Sequence, residues 1–256
     1  MERKKIYPTD LIRSNYWFPL YIEMATDSFL VAHEKYWKYS KMEDIIKKQE
    51  SIKKDTLICL SFSVFAIEAF LNNYLSACLG EERFKAIDRK SIVDKFKHIT
   101  KEFFCADLSK ENRLLNLLNQ AVERRDEIVH SKSFDAMKTV DPNDLFSYWD
   151  YQQWKANEPN KANIAIEKRI AKVNKEIQQE LSNAYDSLRA VAYLAKFFDR
   201  HDANVRAFRS LFILAAKESF EKDQTTVDTN GPKYTLMQNL MQFHEKDYLQ
   251  LYETIS

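Results

Sequence analysis

Glycine is almost absent from this chain of 256 residues, which contains two Gly and five Pro. Tight turns and β-hairpins depend on glycine for positive φ angles and on proline for a pre-set φ. A β-rich fold of this length would need many such turns. Phosphate-cradling loops and dinucleotide-binding fingerprints need several glycines each. The sequence therefore predicts an all-α fold and excludes P-loop and Rossmann chemistry.

The remaining composition is that of a globular protein in which basic and acidic residues are nearly equal in number. Hydrophobic residues make up 45% of the chain and charged residues 30%, enough to form a sizeable core. The 39 basic and 38 acidic residues leave a net charge of +1, so the strongly basic footprint of a general nucleic-acid coat is missing. A local basic face remains compatible with these numbers.

The cysteines and the N-terminal residues indicate a reducing compartment. Cys59, Cys78 and Cys105 are isolated, and no Cys/His cluster has zinc spacing, so we expect free thiols, no metal and no cofactor. The charged residues 1–5 are not followed by the apolar stretch of a signal peptide. The most apolar run, 57–71, falls short of the roughly 20 residues that span a bilayer. We expect a cytoplasmic protein that has no membrane partner.

Apolar periodicity predicts a succession of helices, over 10–40, 55–80, 84–104, 109–130, 161–200, 203–220 and 233–252. The helix over 55–80 is apolar nearly all round, which predicts the centre of a bundle, with Asp55 as its cap and Gly80 at its end. In the next helix we expect Lys95 to face solvent. We predict a helical bundle over 10–202 and, packed on it, a C-terminal helical extension over 203–256.

One short stretch carries recognisable chemistry, Arg124-Arg125-Asp126-Glu127-Ile128-Val129-His130. On a helix, Asp126 and His130 lie four residues apart, so the carboxylate can orient the imidazole. Arg125 offers a planar fork of donors suited to phosphate. An arginine beside an oriented histidine is the minimum for metal-free phosphodiester cleavage, in which the imidazole moves a proton and the guanidinium stabilises charge on phosphorus. Spacing alone leaves a second interpretation open, a charged helix surface with His130 near its end.

The stretch resembles the signature of the HEPN domain, an Arg followed by a polar residue and, four to six residues on, by His. Arg125 and His130 have four residues between them, the first of which is Asp126. The segment 65–72 also resembles the apolar second helix that many of these domains carry before the motif. The order of elements is similar too, and the resemblance covers roughly residues 10–200.

The resemblance implies a bundle of four or five helices that forms a homodimer with the two motifs facing each other. Many HEPN proteins are metal-independent endoribonucleases of prokaryotic toxin–antitoxin, abortive-infection or CRISPR-linked defence systems. RNA is then the expected substrate, and an antitoxin or regulatory partner is expected beside it. Cleavage through a 2′,3′-cyclic phosphate needs both a base and an acid, and a two-fold dimer supplies two His and two Arg to one cleft.

Carried over residue by residue, the resemblance assigns catalytic roles within the motif. Arg125 would bind the phosphate and His130 would transfer protons. Asp126 stands where the family often has Asn, so it either orients His130 or alters the activity.

Four further residues are expected to support the site. Glu68 and Asn72 share one face of the apolar helix, and by burial logic we expect Glu68 to hold Arg125 across the bundle. Arg124 and Lys132 are the basic residues that flank the motif. Some HEPN toxins carry at the position of Lys132 a Tyr that a partner nucleotidyltransferase adenylylates, so that mode of control is not supported here.

Two other interpretations remain beside the ribonuclease. The chain could be a non-catalytic HEPN-like scaffold for RNA binding or dimerisation, or a helical protein unrelated to the family. A ribonuclease needs Arg125 and His130 exposed at the base of a positively charged two-fold cleft, whereas a scaffold tolerates them buried in ion pairs.

Overall fold

A computed structural model describes residues 17–38, 45–129, 155–202 and 231–242. The α-helices whose bounds lie within these residues are α1 (Trp17–Lys38), α2 (Ile45–Leu79), α3 (Glu81–Lys85), α4 (Ile92–Ile99), α5 (Asn112–Val129), α6 (Pro159–His201) and α7 (Pro232–Gln242). A π-helical turn, Thr100–Phe104, follows α4, and a 3-10 turn, Leu108–Glu111, precedes α5. No strand occurs within these four ranges, which confirms the predicted all-α class.

The two longest helices, α2 and α6, run parallel and in register along the centre of the fold. At one end the Gln49 side chain donates to Glu176 over 2.7 Å, and at the other the Tyr74 hydroxyl donates to Asp202 over 2.8 Å. Parallel neighbours cannot be joined by a short loop, so the chain must travel back along the bundle between them. Helix α5 makes this return.

Helix α1 runs antiparallel to α2 and covers its outer side. Its last turn pairs with the first half of α2, where Lys35 Nζ lies 2.6 Å from Asp55 Oδ2. Its first turn meets the second half, where the rings of Phe18 and Phe70 are 5.5 Å apart. Helix α5 is likewise antiparallel to α6, and together α1, α2, α5 and α6 form a four-helix bundle.

Helix α2 differs from its prediction at one end and agrees at the other. It begins at Ile45, ten residues before the predicted start, so Asp55 lies inside the helix and pairs with Lys35 instead of capping it. The prediction of an Asp55 cap was wrong because the Lys-rich turns before it also have helical propensity. At the other end Gly80 stops the helix as predicted, with φ 76° and ψ 165°, a region that glycine alone reaches easily.

Helix α2 is also the apolar helix of the chain. The part Lys48–Leu79 is long and apolar enough to cross a membrane by length and composition, but 56% of its most apolar window is buried inside the bundle. Such burial is typical of the core helix of a soluble protein. The cytoplasmic location stays a prediction.

Helix α4 closes one end of the bundle and buries a lysine. Ser91 caps it, since its hydroxyl accepts from the Asp94 amide over 3.1 Å. The buried face carries Ile92, Phe96 and Ile99, and Lys95 lies on that same face with 1% of its side chain exposed. The expectation that Lys95 faces solvent was wrong, because positions three and four residues apart share a helix face.

Aromatic side chains pack the end of α4 against the last turns of α2 and α6. The ring of Tyr74 lies 4.9 Å from that of Phe198, and Phe104 of the π-helical turn lies 5.4 Å from Phe198. Phe197 packs at 4.9 Å against Phe96. This cluster fixes the end of the bundle at which α5 begins.

Helix α7 packs on the bundle against α1 and α6. Leu236, Met237 and Leu240 are buried, and Lys233 Nζ lies 2.8 Å from Asp27 Oδ1 of α1. Residues 203–230 and 243–256 lie outside the described residues, so the domain boundary at 202 stays a prediction.

Candidate functional site

Helix α5 turns the first residue of the motif toward the bundle. Leu114, Leu118 and Ala121 form its buried stripe, at spacings of four and three residues. Arg125 follows at the next position of this stripe, and Ile128 comes after it, partly buried. Consequently 23% of the Arg125 side chain is exposed. A charged group on a core-facing stripe is costly unless it is paired or serves a function.

The contacts of the Arg125 guanidinium are incomplete. Its Nε lies 2.8 Å from Asp126 Oδ1, which makes an ion pair. The N–H of Nε is not directed at that oxygen, so this buried donor makes no hydrogen bond within the described part of the chain. Buried donors of this kind are rare in folded proteins.

Of the other two motif residues, Asp126 lies within the described residues and His130 does not. Asp126, expected to orient His130, contacts Arg125 instead, with 48% of its side chain exposed. His130 and Lys132 lie outside the described residues, so the Asp126–His130 hydrogen bond stays a prediction.

Glu68 does not reach the motif. Its Oε1 lies 3.6 Å from Lys95 Nζ, so the expected pairing of Glu68 with Arg125 was wrong. The register of the bundle explains why. Ala184 of α6, beside the motif end of α5, is level with Cys59 of α2, whose Sγ lies 3.6 Å from the Ala184 oxygen. Glu68 comes nine residues later, roughly 13 Å farther along the helix.

Asn72 lies a further turn along α2, on the face of Glu68. Its Oδ1 is buried and has no hydrogen-bond partner among the residues of known placement. Asn72 and Glu68 therefore share one polar face of α2, and the supporting role of Asn72 stays a prediction.

Arg124 lies at the edge of the contact between α5 and α6. Its side chain is 47% exposed, and Nη1 lies 3.3 Å from Glu127 Oε2. The turn 123–127 carries two arginines and three carboxylates. This turn alone does not supply the positive potential expected of the cleft, so phosphate binding would depend on the geometry of the Arg125 guanidinium.

A groove runs between α5 and α6 beside the motif. It is a small depression with a volume of about 50 Å³, and is lined by Leu117, Gln120, Ala121, Arg124, Asn183, Asp186 and Ser187. The sequence analysis missed its α6 side, since Asn183 and Asp186 lie about 60 residues after the motif. Nothing in their spacing connects them to it; only the antiparallel packing of α5 on α6 does.

The chain matches no family model, no curated protein and no solved structure. The resemblance to HEPN domains thus rests on the motif, the apolar helix before it and the order of helices. Within the ranges of known placement, no group of three or more His, Cys, Asp or Glu could hold a metal ion.

Proposed function

We propose that the chain is a metal-independent endoribonuclease of the HEPN type, acting as a homodimer with a composite site in a prokaryotic defence or toxin system. The observation that supports this most is the signature itself, in which Asp126 follows Arg125 and His130 comes five positions after it, on a helix of the bundle. Arg125 keeps 23% of its side chain exposed, and a guanidinium is the group that binds phosphate with paired donors.

The chemistry of this proposal uses protein groups alone. The 2′-oxygen of the RNA attacks phosphorus as His130 removes its proton, and the bond from phosphorus to the 5′-oxygen breaks. The same residue of a second copy protonates the leaving 5′-oxygen. Arg125 stabilises the charge that builds on the phosphoryl oxygens. The products carry a 2′,3′-cyclic phosphate and a 5′-hydroxyl.

The test compares purified wild-type protein with Arg125→Ala and His130→Ala on a mixed RNA pool in EDTA. We expect cleavage by the wild type, with cyclic-phosphate ends, and a loss of at least about a hundredfold in both variants. The matched control is Arg83→Ala, which removes an exposed arginine of α3. This control should cleave like the wild type. Equal cleavage by all four proteins would contradict the assignment of the motif.

A second candidate, a non-catalytic RNA-binding or dimerisation scaffold, is favoured by one contact. Arg125 is mostly buried and lies beside the carboxylate of Asp126, as a structural arginine would. The same experiment separates the two functions. Absence of cleavage by every form, with the fold and the dimer intact, would support the scaffold.

A further inference from the structure

We propose that α1 and α2, side by side, form a face that binds a second copy of this chain, in a contact separate from the catalytic motif. The α1–α2 face consists of Tyr21, Met24, Val31, Ile58, Phe62 and Phe65. Met24, Val31 and Phe65 are three of the five exposed large hydrophobic side chains among the described residues, with 37%, 41% and 37% of their surfaces exposed. Met24 and Val31 are seven residues apart, so they share one side of α1. Phe65 joins them from α2, since its ring lies 5.8 Å from that of Tyr21, one turn before Met24.

The centre of the α1–α2 face is aromatic and uncharged. The ring of Phe62 lies 5.7 Å from that of Tyr21 and 5.8 Å from that of Phe65. Helix α2 has no charged residue over 56–67, and only 56% of its most apolar window is buried inside the bundle. A contiguous exposed apolar patch with a polar rim marks an interaction site.

The size of the α1–α2 face suits a protein partner with an equally long helical face. The 22 residues of α1 extend over about 33 Å, and two helices side by side are about 20 Å wide. The face thus covers roughly 600 Å² in projection, and more as accessible surface because helices are ridged. A standard interface takes about 800 Å² from each partner. A second copy supplies a face of the same size by symmetry.

Charges at one end of the α1–α2 face are complementary to those of a second copy. Glu34 of α1 and Lys54 of α2 are exposed, and each lies one turn beyond the apolar residues of its helix. Neither has an ion-pair partner among the described residues. Because α1 and α2 are antiparallel, a two-fold axis along their seam places each α1 over the other copy's α2. Glu34 of one copy then faces Lys54 of the other, and Lys38 comes opposite Glu50.

This contact leaves the catalytic motif free. The motif lies on α5, which packs on α6 and α2 and is not part of the α1–α2 face. Two copies joined through this face would carry their α5 helices on opposite sides of the assembly. The composite ribonuclease site therefore requires a different contact, and the inference does not depend on the proposed activity.

The test measures the mass of the full-length protein by sedimentation equilibrium over a concentration series. Phe65→Glu puts a charge at the centre of the face, so it should weaken this association at least about a hundredfold and halve the mass of the assembly. The matched control is Ile164→Glu, which adds the same charge at a 53% exposed position of α6. This control should keep the wild-type mass.

A charge reversal guards against misfolding, because both positions are exposed. Glu34→Lys and Lys54→Glu each place like charges opposite one another, so each should weaken the association about tenfold. The double variant restores opposite charges and should associate like the wild type.

Three results would overturn the proposal: a wild type that keeps the mass of one chain up to about 100 µM, a mass unchanged by Phe65→Glu, or a double variant no tighter than the single ones. A monomeric wild type that sediments with phosphatidylcholine vesicles would also overturn it, since a membrane would then cover the face. A halved mass in Phe65→Glu supports the face whether or not the wild type cleaves RNA. Cleavage combined with an unchanged mass supports the ribonuclease and removes this contact alone.

Discussion

Two charged side chains are buried because of their positions on the core-facing side of a helix. Arg125 and Lys95 both occupy core-facing positions, and each meets a carboxylate at the edge of the core, Asp126 and Glu68 respectively. Neither pair is a well-formed buried salt bridge, since the Arg125 N–H is not directed at its carboxylate and the Lys95–Glu68 distance is 3.6 Å. Such pairs add little to stability, so their positions are better explained by function or by local packing.

His33 gives the fold a pH dependence at the scale of one residue. It lies in α1 with 5% of its surface exposed, stacked 6.0 Å from the ring of Phe29, and burial lowers its pKa to about 4. The unfolded chain protonates near pH 6.5, so protonation favours unfolding. Stability from this group is complete above pH 6.5 and falls as the pH drops toward 4, by at most about 3 kcal/mol.

Replacing His33 by Phe should remove this part of the pH dependence while keeping the stacking. Urea unfolding of wild type and His33→Phe at intervals from pH 7 to pH 4 measures it as the difference between the two curves. If the difference in unfolding free energy between the two proteins stays constant from pH 7 to pH 4, the pKa of His33 is the same in the folded and the unfolded chain.

At the scale of elements, the Lys95–Glu68 pair joins α4 to α2. Glu68→Gln leaves the Lys95 ammonium buried without a countercharge, and since Glu68 is 37% exposed we expect a loss of about 1–2 kcal/mol. Lys95→Met removes the buried charge and keeps the apolar stem, so stability should stay level or rise. Urea unfolding of the two single variants and of the double variant measures the coupling energy between Lys95 and Glu68.

Lys97→Met, at an exposed position of the same helix, is the control for changing a lysine in α4. It should leave the unfolding free energy within about 0.5 kcal/mol of the wild type. A large loss for Lys95→Met would instead mean that the ammonium itself stabilises the contact.

The elements were the most predictable part of this molecule. Scarce glycine and apolar periodicity correctly predicted the all-α class, and Gly80 correctly marked the end of α2. The errors at Asp55 and Lys95 have different causes. The Lys-rich turns before Asp55 extend the helix past it, whereas for Lys95 polarity alone does not show which side of a helix another helix will cover. Asp55 meets Lys35, and Lys95 meets Glu68, only in the folded bundle.

The candidate site was less predictable for a related reason. The motif residues are adjacent in sequence, so spacing could indicate them. The groove beside the motif needs Asn183 and Asp186, which no local pattern connects to the motif. Contacts between distant segments leave no periodic signal in either segment alone.

At the scale of the whole molecule, the proposed activity should depend on protein concentration. One chain offers a single motif histidine, while the reaction needs a base and an acid. Cleavage per chain should therefore fall once the protein is diluted below the dissociation constant of the homodimer. Activity over a dilution series, with sedimentation equilibrium under the same conditions, measures this. Constant activity per chain from a monomeric protein would contradict a composite site.

The parallel pairing of α2 with α6 also affects the order in which the bundle can form during synthesis. The hydrogen bonds that join these helices link residues 125 to 128 positions apart. At a synthesis rate of about 5–20 residues per second, α2 waits roughly 6–25 s on the ribosome before its partner emerges. During that interval α1 covers the most apolar helix of the protein, and α4 and α5 join it as they emerge, but the face that packs on α6 stays open. We therefore expect the nascent chain to bind chaperones that recognise exposed apolar helices.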